Sequence, residues 1–269
     1  MPDQTIIASN PLKQLLKTNQ FAVGTMVAEI RQPVVMQLLA NAGFDFAIID
    51  NEHGPFTIET IADLTRTAQQ VGLTPIVRVP EIAYPYIAQS LDAGAQGVMI
   101  PRVTGPEQVR QTLNMMKYPP QGRRGNAQSR GYTRFQAGSV SQVMAEANRQ
   151  TMLVVQIETR EALENIEAIV SVPGVDAVLI GPTDLSIALD VPGQLDNPVM
   201  EAAIEKTILM ALRYGVIPAL HINNLELAAK WAREGMRMLS HSAEIGLMMQ
   251  GGKAAVATIR AAFPDGAPS

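Results

Sequence analysis

Acidic, basic and imidazole side chains follow several short apolar runs in this chain. Asp50 and His53 lie close together after one run, and Arg78 ends the next run. Glu158 and Asp184 follow two later runs. An aspartate beside an imidazole suits general-base chemistry, and two carboxylates with no cysteine partner suit a hard divalent cation. These residues therefore favour a site that combines a metal ion with a base.

Each of these residues also has a purely structural explanation. Asp184 precedes an apolar helical run and could cap that helix, which the spacing favours as strongly as a metal site. Asp50 could cap the helix that begins near Thr57, which would leave His53 as a loop residue. A structural salt bridge could satisfy Arg78, whose charge is costly inside an apolar strand without an anion. We favour a functional Arg78 because it lies beside the strand end.

Residues for covalent catalysis are missing from the predicted strand ends. The sequence contains no cysteine and no G-x-S-x-G motif. Every lysine falls in a predicted helix rather than at a strand end, which leaves a Schiff base without its amine. The lysines are Lys13, Lys17, Lys117, Lys206, Lys230 and Lys253. The absence of cysteine also fits a reducing compartment, and we expect a cytoplasmic protein.

Short apolar runs alternate with amphipathic stretches along the whole chain. The runs are apolar on both faces, which is typical of buried parallel strands. We predict eight strands, at 21–27, 45–50, 74–79, 97–101, 152–157, 177–180, 216–221 and 236–240. Helices are predicted at 34–42, 58–71, 84–93, 106–117, 160–170, 198–214, 225–233 and 243–262. Eight strand–helix units predict an α/β fold of the (β/α)8 TIM barrel type.

An open, doubly wound sheet is the alternative fold. It would normally contain fewer units, and no GxGxxG turn follows the first predicted strand. We therefore predict one barrel domain over residues 1–269, preceded by a helix at 11–17. A long polar insertion at 118–150 follows the fourth strand and contains Arg123, Arg124, Arg130 and Arg134. A barrel brings the carboxyl ends of its strands, and so the candidate residues, to one rim.

The composition argues against nucleic-acid and membrane partners. The 269 residues include 21 Lys and Arg against 25 Asp and Glu, a formal net charge of −4. Nucleic-acid binding depends on clustered positive charge. No apolar run approaches the ~18 residues needed to span a bilayer, and residues 1–10 lack the basic region of a signal peptide. We therefore expect small molecules, rather than nucleic acid or a membrane, as partners.

Six motifs resemble, in order and spacing, those of the HpcH/HpaI family of metal-dependent, class II pyruvate aldolases. The motifs are IDNEHGP at 49–55, PIVRVP at 75–80, GVMIP at 97–101, GRRG at 122–125, VQIET at 155–159 and IGPTDLS at 180–186. The resemblance extends over nearly the whole chain. It implies a (β/α)8 barrel that assembles as a homo-hexamer, a trimer of dimers, with the carboxy-terminal helix exchanged between subunits.

The resemblance also implies which residues bind the metal and the oxo acid. Glu158 and Asp184 would hold the divalent cation, which would be Mg²⁺, Mn²⁺ or Co²⁺, and no organic cofactor is implied. Gln156 and the backbone N–H groups around Thr183 and Asp184 would hold the pyruvate carboxylate, and Pro182 would also belong to the substrate-binding residues. A small-molecule oxo acid and an aldehyde are the implied substrates.

The catalytic roles implied by the resemblance fall on three residues. His53, backed by Asp50, would act as the base, and Arg78 would bind the substrate and neutralise the enolate. The implied reaction is the reversible retro-aldol cleavage of a 4-hydroxy-2-oxo acid to pyruvate and an aldehyde. The Asp50–His53 pair would take the proton of the 4-hydroxyl group during cleavage and a methyl proton of pyruvate in the reverse direction.

The sequence departs from the family pattern near the predicted rim. Arg102 stands where relatives mostly carry an apolar residue, and His241 replaces part of a segment that commonly contains a small residue and an aspartate. We predict an acceptor pocket that includes Arg102, Arg124 and His241, with His221 at a further strand end. Such groups would favour an acceptor that carries hydroxyls or a carboxylate. Alternatively, Arg102 pairs with an acid such as Glu81, and both histidines are packed and neutral.

Two other functions remain alternatives at this point. An acyl-thioester lyase of the citrate lyase β type would use the same metal barrel, and the arginines within 123–134 could bind its nucleotide phosphates. The intact Asp50-to-His53 motif favours the aldolase. The second alternative is a non-catalytic metabolite-binding barrel, against which the retained base argues.

Overall fold

Eight parallel strands close into a barrel in the computed structural model, which describes residues 6–262. Each strand pairs with its neighbours along the chain, and β8 pairs with β1 to close the barrel. The strands are β1 (Ala22–Val27), β2 (Phe46–Asp50), β3 (Thr74–Arg78), β4 (Gly97–Ile100), β5 (Met152–Ile157), β6 (Ala177–Ile180), β7 (Ile217–His221) and β8 (Met238–Ala243). The predicted single-domain (β/α)8 fold is confirmed, and the open sheet is excluded.

Helices surround the barrel and connect its strands. They are α1 (Pro11–Lys17), α2 (Val34–Asn41), α3 (Ile58–Gln70), α4 (Tyr84–Ala93), α5 (Pro106–Met116), α6 (Val140–Gln150), α7 (Arg160–Glu164), α8 (Ile166–Val170), α9 (Pro182–Ala188), α10 (Pro198–Arg213), α11 (Leu225–Arg233) and α12 (Glu244–Ala261). Within residues 6–262, no helix combines the length and the apolar character needed to cross a membrane. Residues 1–5, part of the segment expected to lack a signal peptide, lie outside the described residues.

Side chains of each strand point alternately into the barrel and towards the helices. The inward residues Phe46, Ile48 and Met99 belong to the cluster that fills the barrel interior. The outward residues Ile49 and Val98 belong to the cluster packed against the helices. Because both faces are buried, the strands are apolar runs without a polar side.

Polar residues occupy the last inward positions at the carboxyl ends of the strands. Asp50 follows Ile48 by two residues, so it continues the inward row of β2. Arg78, Gln156 and His221 continue the inward rows of β3, β5 and β7 in the same way. The rows that form the core therefore also carry the candidate site residues to the rim.

The structure differs from the predicted elements in a few places. The predicted helix at 160–170 is divided into α7 and α8 at Asn165. The insertion at 118–150 is not all loop, because it ends in α6, whose Val143 and Ala147 are buried one turn apart. The many polar residues of this segment hide that short apolar stripe. The short helix α9 was not among the predicted helices, although the capping alternative for Asp184 implied a helical run there, and it begins directly after β6 with Pro182 at its first position.

Candidate active site

A cavity of about 190 Å³ opens at the carboxyl end of the barrel. Met26, Ile48, Met99 and Leu179 contribute its apolar lining. The remainder of the lining consists of His53, Arg78, Gln156, Gly181, Pro182, Thr183, Asp184 and His221. An apolar cavity with a few convergent polar groups is typical of a small-molecule site. The structure therefore brings six of the predicted site residues to one cavity.

The Arg78 guanidinium is held by two carboxylates beside this cavity. Its Nε and Nη2 donate to Oδ1 and Oδ2 of Asp50 at 2.9 and 2.7 Å. Its Nη1 lies 3.0 Å from Oε2 of Glu52 and 3.5 Å from Oε1 of Gln156. The Arg78 and Asp50 side chains are only 10% and 5% exposed. This fork geometry fixes the plane of the guanidinium at the cavity wall.

Burial and the ion pairs act on these groups in opposite directions. Burial raises the pKa of Asp50, but the hydrogen bonds and charge of Arg78 outweigh it, so the Asp50 pKa lies below its usual value. Burial would lower the pKa of Arg78, yet the carboxylates of Asp50, Glu52 and Glu158 raise it. For Glu52 burial prevails over the charge of Arg78, and its pKa is raised. Arg78 and Asp50 therefore remain charged at neutral pH.

His53 lies at the mouth of the cavity with its side chain 71% exposed. Asp50 does not contact its imidazole: Oδ1 of Asp50 accepts the backbone N–H of His53 at 3.3 Å instead. The nearest acid to the ring is Glu52, whose Oε2 lies 3.9 Å from Nε2. The Asp50 carboxylate binds Arg78 instead, because its two oxygens match the two donors of the guanidinium. The expected pairing of Asp50 with the His53 imidazole is thus replaced by a backbone contact.

Glu158 is buried on the opposite side of the Gln156 amide from Arg78. Its Oε1 accepts the backbone N–H of Arg102 at 2.7 Å, and its Oε2 accepts a hydrogen bond from Gln156. A side chain at Gly181 would place its Cβ 2.7 Å from Nε2 of Gln156 and 2.8 Å from Oε2 of Glu158. Gly181 therefore provides the space in which these two side chains meet.

The environment of Glu158 disfavours the ionised form of its own carboxyl group. Burial raises the pKa of Glu158, and the nearby charges of Glu52 and Asp184 raise it further. The Arg102 N–H and the charge of Arg78 oppose this effect without reversing it. A cation beside Glu158 and Asp184 would relieve the repulsion between them.

Asp184 stands in the first turn of α9 and lines the cavity. The residue that caps this helix is Gly181, and no side-chain cap hydrogen bond forms at this terminus. Pro182 and Thr183, which precede Asp184, also line the cavity. The capping explanation for Asp184 is therefore wrong, and its carboxylate is available at the cavity.

The donor set at this point fits a hard divalent cation. Glu158 and Asp184 supply two carboxylates, and among residues 6–262 no group of three or more His, Cys, Asp or Glu residues forms a more complete metal site. Mg²⁺ is commonly held by one or two carboxylates, with water and substrate oxygens in the other positions. Two carboxylates beside an open cavity meet that requirement.

The two carboxy-terminal histidines have different surroundings. His221 lines the cavity, and its Nδ1 lies 2.9 Å from Oγ of Ser240. Burial, with the charge of Arg78, lowers the pKa of His221 to about 4, so the ring is neutral at pH 7. The Nδ1 of His241 lies 3.0 Å from the carbonyl oxygen of Ile222, and His241 is not among the cavity-lining residues. His221 is therefore buried and neutral, as the alternative expected, but it lines the cavity, whereas His241 does not.

The two predicted acceptor arginines do not line the cavity. The side chain of Arg102 is exposed, and its backbone is left-handed with φ 53°, which aims its N–H at Glu158. Arg124 is buried, pairs with Asp92 and stacks against the rings of Tyr118 and Tyr132.

Arg124 lies at the amino-terminal end of the barrel in this chain. Its backbone N–H donates to the carbonyl oxygen of Lys117 at 2.9 Å, and the Lys117 ammonium donates to Thr151, which precedes β5. The insertion folds back from α5 to that end of the barrel, so Arg124 is carried away from the rim. Within this chain, the expected contribution of Arg124 to the cavity is not observed.

Lys117 itself is a buried amine with a lowered pKa. Its Nζ donates to the carbonyl oxygens of Asn148 and Thr151 at 2.8 and 2.9 Å, and to the Thr151 hydroxyl at 2.9 Å. Burial lowers the pKa of Lys117 to about 8. A lysine of this kind at the rim would suggest a Schiff base, but Lys117 is at the far end of the barrel. No lysine lines the rim cavity within the described residues.

Three sets of contacts at the carboxyl end of the barrel were not predicted from the sequence. Glu52 contacts both Arg78 and His53, although it stands between the two residues of the predicted dyad. Ser240 supports His221 from the neighbouring strand. Glu244 accepts backbone N–H groups of the loop after β1. The inward alternation of β8 would have indicated Ser240, whereas the contacts of Glu52 and Glu244 depend on loop geometry.

The chain belongs to the HpcH/HpaI aldolase/citrate lyase family, which its residues 26–249 match. Among its relatives is a 2-keto-3-deoxy-L-rhamnonate aldolase of Escherichia coli (strain K12), 34% identical over 202 residues, or 75% of each chain. A hydroxypyruvate/pyruvate aldolase of Roseobacter denitrificans is 33% identical over 251 residues, which cover 92% of this chain and 96% of the relative. The crystal structure of an HpcH/HpaI aldolase from Desulfitobacterium hafniense is similar, with a TM-score of 0.88 and 34% identity over 93% and 96% of the two chains.

Proposed function

We propose that this protein is a class II pyruvate aldolase that cleaves a 4-hydroxy-2-oxo acid reversibly to pyruvate and an aldehyde. The observation that carries the proposal is the convergence of Gln156, Arg78, Asp184 and His53 on one cavity, with Glu158 bound to Gln156 behind it. The set combines two carboxylates for a cation, a guanidinium for developing negative charge and an imidazole for proton transfer. The aldolases among the relatives support the same reaction.

Glu158 and Asp184 are the residues that would hold a divalent cation, Mg²⁺, Mn²⁺ or Co²⁺. When bound, such a cation supplies Lewis-acid polarisation of the 2-oxo group of the substrate. The repulsion between the two carboxylates, which contributes to the raised pKa of Glu158, supports their assignment as the ligand pair. No organic cofactor is part of the proposal.

Arg78 and Gln156 orient the oxo acid in this proposal. Negative charge develops on the 2-oxo oxygen as the C3–C4 bond breaks, and the fixed guanidinium of Arg78 stabilises it without reorganising. Asp50 and Glu52 hold the guanidinium in place, which makes them positioning residues. The amide of Gln156 and the backbone at Pro182 and Thr183 face the substrate carboxylate.

His53 is the proposed base. In cleavage its imidazole takes the proton of the 4-hydroxyl group, the C4–O bond becomes a carbonyl and the electron pair of the C3–C4 bond passes to the enolate. In the reverse direction His53 removes a proton from the pyruvate methyl group. The acid nearest to the imidazole is Glu52, at 3.9 Å, whereas Asp50 reaches His53 only through its backbone N–H.

We also propose a homo-hexamer, a trimer of dimers, in which α12 is exchanged between subunits. Only Glu244 is buried in this 18-residue helix. Its apolar residues Met248, Met249, Val256 and Ile259 are exposed. An apolar face of this size on a helix favours a protein partner, and a second copy of the chain matches the expectation from the sequence. The proposal places the enzyme in the cytoplasm, with no nucleic-acid or membrane partner.

The two alternative functions receive less support. An acyl-thioester lyase would need a basic patch near the cavity, but Arg124 pairs with Asp92 at the other end of the barrel. A non-catalytic metabolite-binding barrel would not need an exposed imidazole at the mouth of the cavity. A non-catalytic barrel would also give the fixed Arg78 guanidinium no developing charge to stabilise.

The function is tested by pyruvate release from a panel of 4-hydroxy-2-oxo acids, with acyl-coenzyme A substrates run in parallel. We expect pyruvate release from at least one oxo acid, loss of release after chelation and no carbon–carbon cleavage of the acyl chain of the thioesters. Carbon–carbon cleavage of a hydroxyacyl thioester without pyruvate release from the oxo acids would favour the lyase. Binding of oxo acids without turnover of either class would favour the metabolite-binding barrel.

A further inference from the structure

His221 occupies the last inward position of β7, on a part of the cavity wall that the proposed mechanism does not use. The proposed metal ligands follow β5 and β6, and the Asp50–Arg78 pair ends β2 and β3. The side chain of His221 reaches the same cavity from β7. It is therefore a polar group placed beside the substrate without a role in the reaction.

Ser240 fixes the orientation of this imidazole. His221 and Ser240 are direct register partners on β7 and β8, so their side chains lie on the same face of the sheet. Oγ of Ser240 lies 2.9 Å from Nδ1 of His221, and Ser240 is fully buried. The bond occupies one ring nitrogen and leaves the other for a ligand in the cavity.

The His221 ring offers a hydrogen bond rather than a charge. Burial and the nearby charge of Arg78 lower its pKa to about 4, so the neutral ring carries one N–H donor and one acceptor nitrogen. If the Ser240 hydroxyl donates to Nδ1, then Nε2 is the donor that remains, and if Ser240 accepts, Nε2 is an acceptor. A hydroxyl group can satisfy either arrangement because it both donates and accepts.

The surroundings make such a hydrogen bond selective. Met26, Ile48 and Leu179 line the same cavity and offer no polar partner to the ring. A polar group that is left unpaired by a bound ligand costs free energy, so a site of this kind rejects the analogue that lacks the hydroxyl. A carboxylate is not favoured at this position, because a neutral imidazole provides no positive charge.

We infer that His221, held by Ser240, determines the specificity of the enzyme for its acceptor by binding a hydroxyl group of the aldehyde. The inference rests on the proposed aldolase function and narrows its substrate class to short hydroxyaldehydes. Arg102 and His241, by contrast, are not among the residues that line the cavity.

The test compares the condensation of pyruvate with glycolaldehyde and with acetaldehyde, which differ by one hydroxyl group. The wild type favours glycolaldehyde in kcat/KM. His221→Leu lowers kcat/KM for glycolaldehyde by about 10- to 100-fold, the range for one hydrogen bond in a desolvated site. The same substitution changes kcat/KM for acetaldehyde little. His221→Gln, which keeps a side-chain amide near the ring position, retains part of the preference. His241→Leu is the matched control and leaves the ratio unchanged.

A second measurement detects the hydrogen bond between His221 and the aldehyde hydroxyl group in the absence of turnover. Glycolaldehyde, but not acetaldehyde, shifts the ring ¹⁵N resonances of His221 in the folded wild-type protein, and Ser240→Ala weakens this response. Equal losses on both aldehydes in the two His221 variants, or a ring unaffected by glycolaldehyde, would overturn the specificity role. A wild type that condenses pyruvate with neither aldehyde would contradict the narrowing to short hydroxyaldehydes, whereas the proposed function would be contradicted only if no oxo acid of the panel released pyruvate.

Discussion

Asp50 presents both carboxylate oxygens to Arg78, with the guanidinium Nε and Nη2 at 2.9 and 2.7 Å. Its Oδ1 also accepts the backbone N–H groups of Glu52 and His53, at 3.0 and 3.3 Å. One buried carboxylate thereby fixes the guanidinium of Arg78 and the turn that carries the proposed base. This arrangement makes the position of His53 depend on Asp50 through the backbone rather than through the imidazole.

Removing one member of the Asp50–Arg78 pair should destabilise the protein strongly. Arg78→Met leaves the Asp50 carboxylate buried without its partner, for which we expect a loss of about 3–5 kcal/mol in the free energy of unfolding. Urea unfolding measures this loss. Arg110→Met is the control, because the Arg110–Glu107 pair is exposed and should contribute less than about 1 kcal/mol. Equal effects of the two substitutions would contradict the structural importance of the buried pair.

Loss of the His53 imidazole should affect the reaction and not the fold. Because this side chain is 71% exposed, His53→Ala should unfold at the same urea concentration as the wild type. We expect it to slow cleavage of the oxo acid and deuterium exchange into the pyruvate methyl group by roughly 10²–10⁴-fold. Unchanged methyl exchange in this variant would exclude His53 as the base.

Glu244 should stabilise the junction between α12 and the loop after β1. Its carboxylate accepts the backbone N–H groups of Ala28, Glu29 and Ile30 at 2.9, 2.7 and 2.8 Å, and its side chain is buried. Glu244→Ala leaves these donors unpaired, which should lower the free energy of unfolding by about 3 kcal/mol. Glu226→Ala provides the control.

Glu226 also stands in the first turn of a helix, α11, but it is exposed. The helix-dipole contribution of a first-turn acid is typically below about 1 kcal/mol, so this variant should unfold close to the wild type. A Glu244→Ala variant no less stable than Glu226→Ala would show that the three backbone contacts contribute little.

The lowered pKa of His221, about 4, predicts a pH dependence of stability. The unfolded chain binds a proton at this ring near pH 6.5, whereas the folded chain does so only near pH 4. The stabilising contribution is therefore complete above pH 6.5 and is lost as the pH falls towards 4. Urea unfolding of the wild type and His221→Gln between pH 7 and 4.5 should converge as the pH falls. A difference that does not change with pH would contradict a neutral, buried His221.

The exposed apolar residues of α12 should control assembly. A lysine at Met248 or Ile259, both more than 60% exposed in the single chain, should convert the proposed hexamer to smaller species. Size-exclusion chromatography with light scattering measures this change. Gln250→Lys adds the same charge at an exposed polar position of the helix and should leave the assembly intact. A wild type that is monomeric at micromolar concentration would contradict the proposal.

The fold was predictable because the strands are buried on both faces. Continuous apolar runs such as Phe46–Asp50 and Met152–Ile157 identify parallel strands, and their number identifies the barrel. The helix α6 was not predicted, and α9 was implied only by the capping alternative for Asp184. α9 has seven residues and begins at a proline directly after its strand, so its sequence resembles a loop with a capping aspartate.

The strand-end rule predicted the position of most site residues but not their partners. It placed Asp50, Arg78 and His53 together, yet the choice between an imidazole and a guanidinium as the Asp50 partner depends on side-chain geometry. Arg124 lies in the 118–150 insertion and follows no strand directly, so the strand-end rule does not indicate at which end of the barrel it lies. The difference between His221 and His241 follows from strand alternation, which gives Ser240 and His221 the inward positions.

The most direct test of the central claim is the metal dependence of pyruvate methyl exchange, followed by ¹H NMR in D₂O. We expect the wild type to exchange the methyl protons with Mg²⁺, Mn²⁺ or Co²⁺, to lose exchange after exhaustive chelation and to regain it on metal addition. Glu158→Gln and Asp184→Asn, folded by circular dichroism, should show little metal binding and little exchange. Full exchange in the chelated wild type, with no metal detected by elemental analysis, would contradict the account.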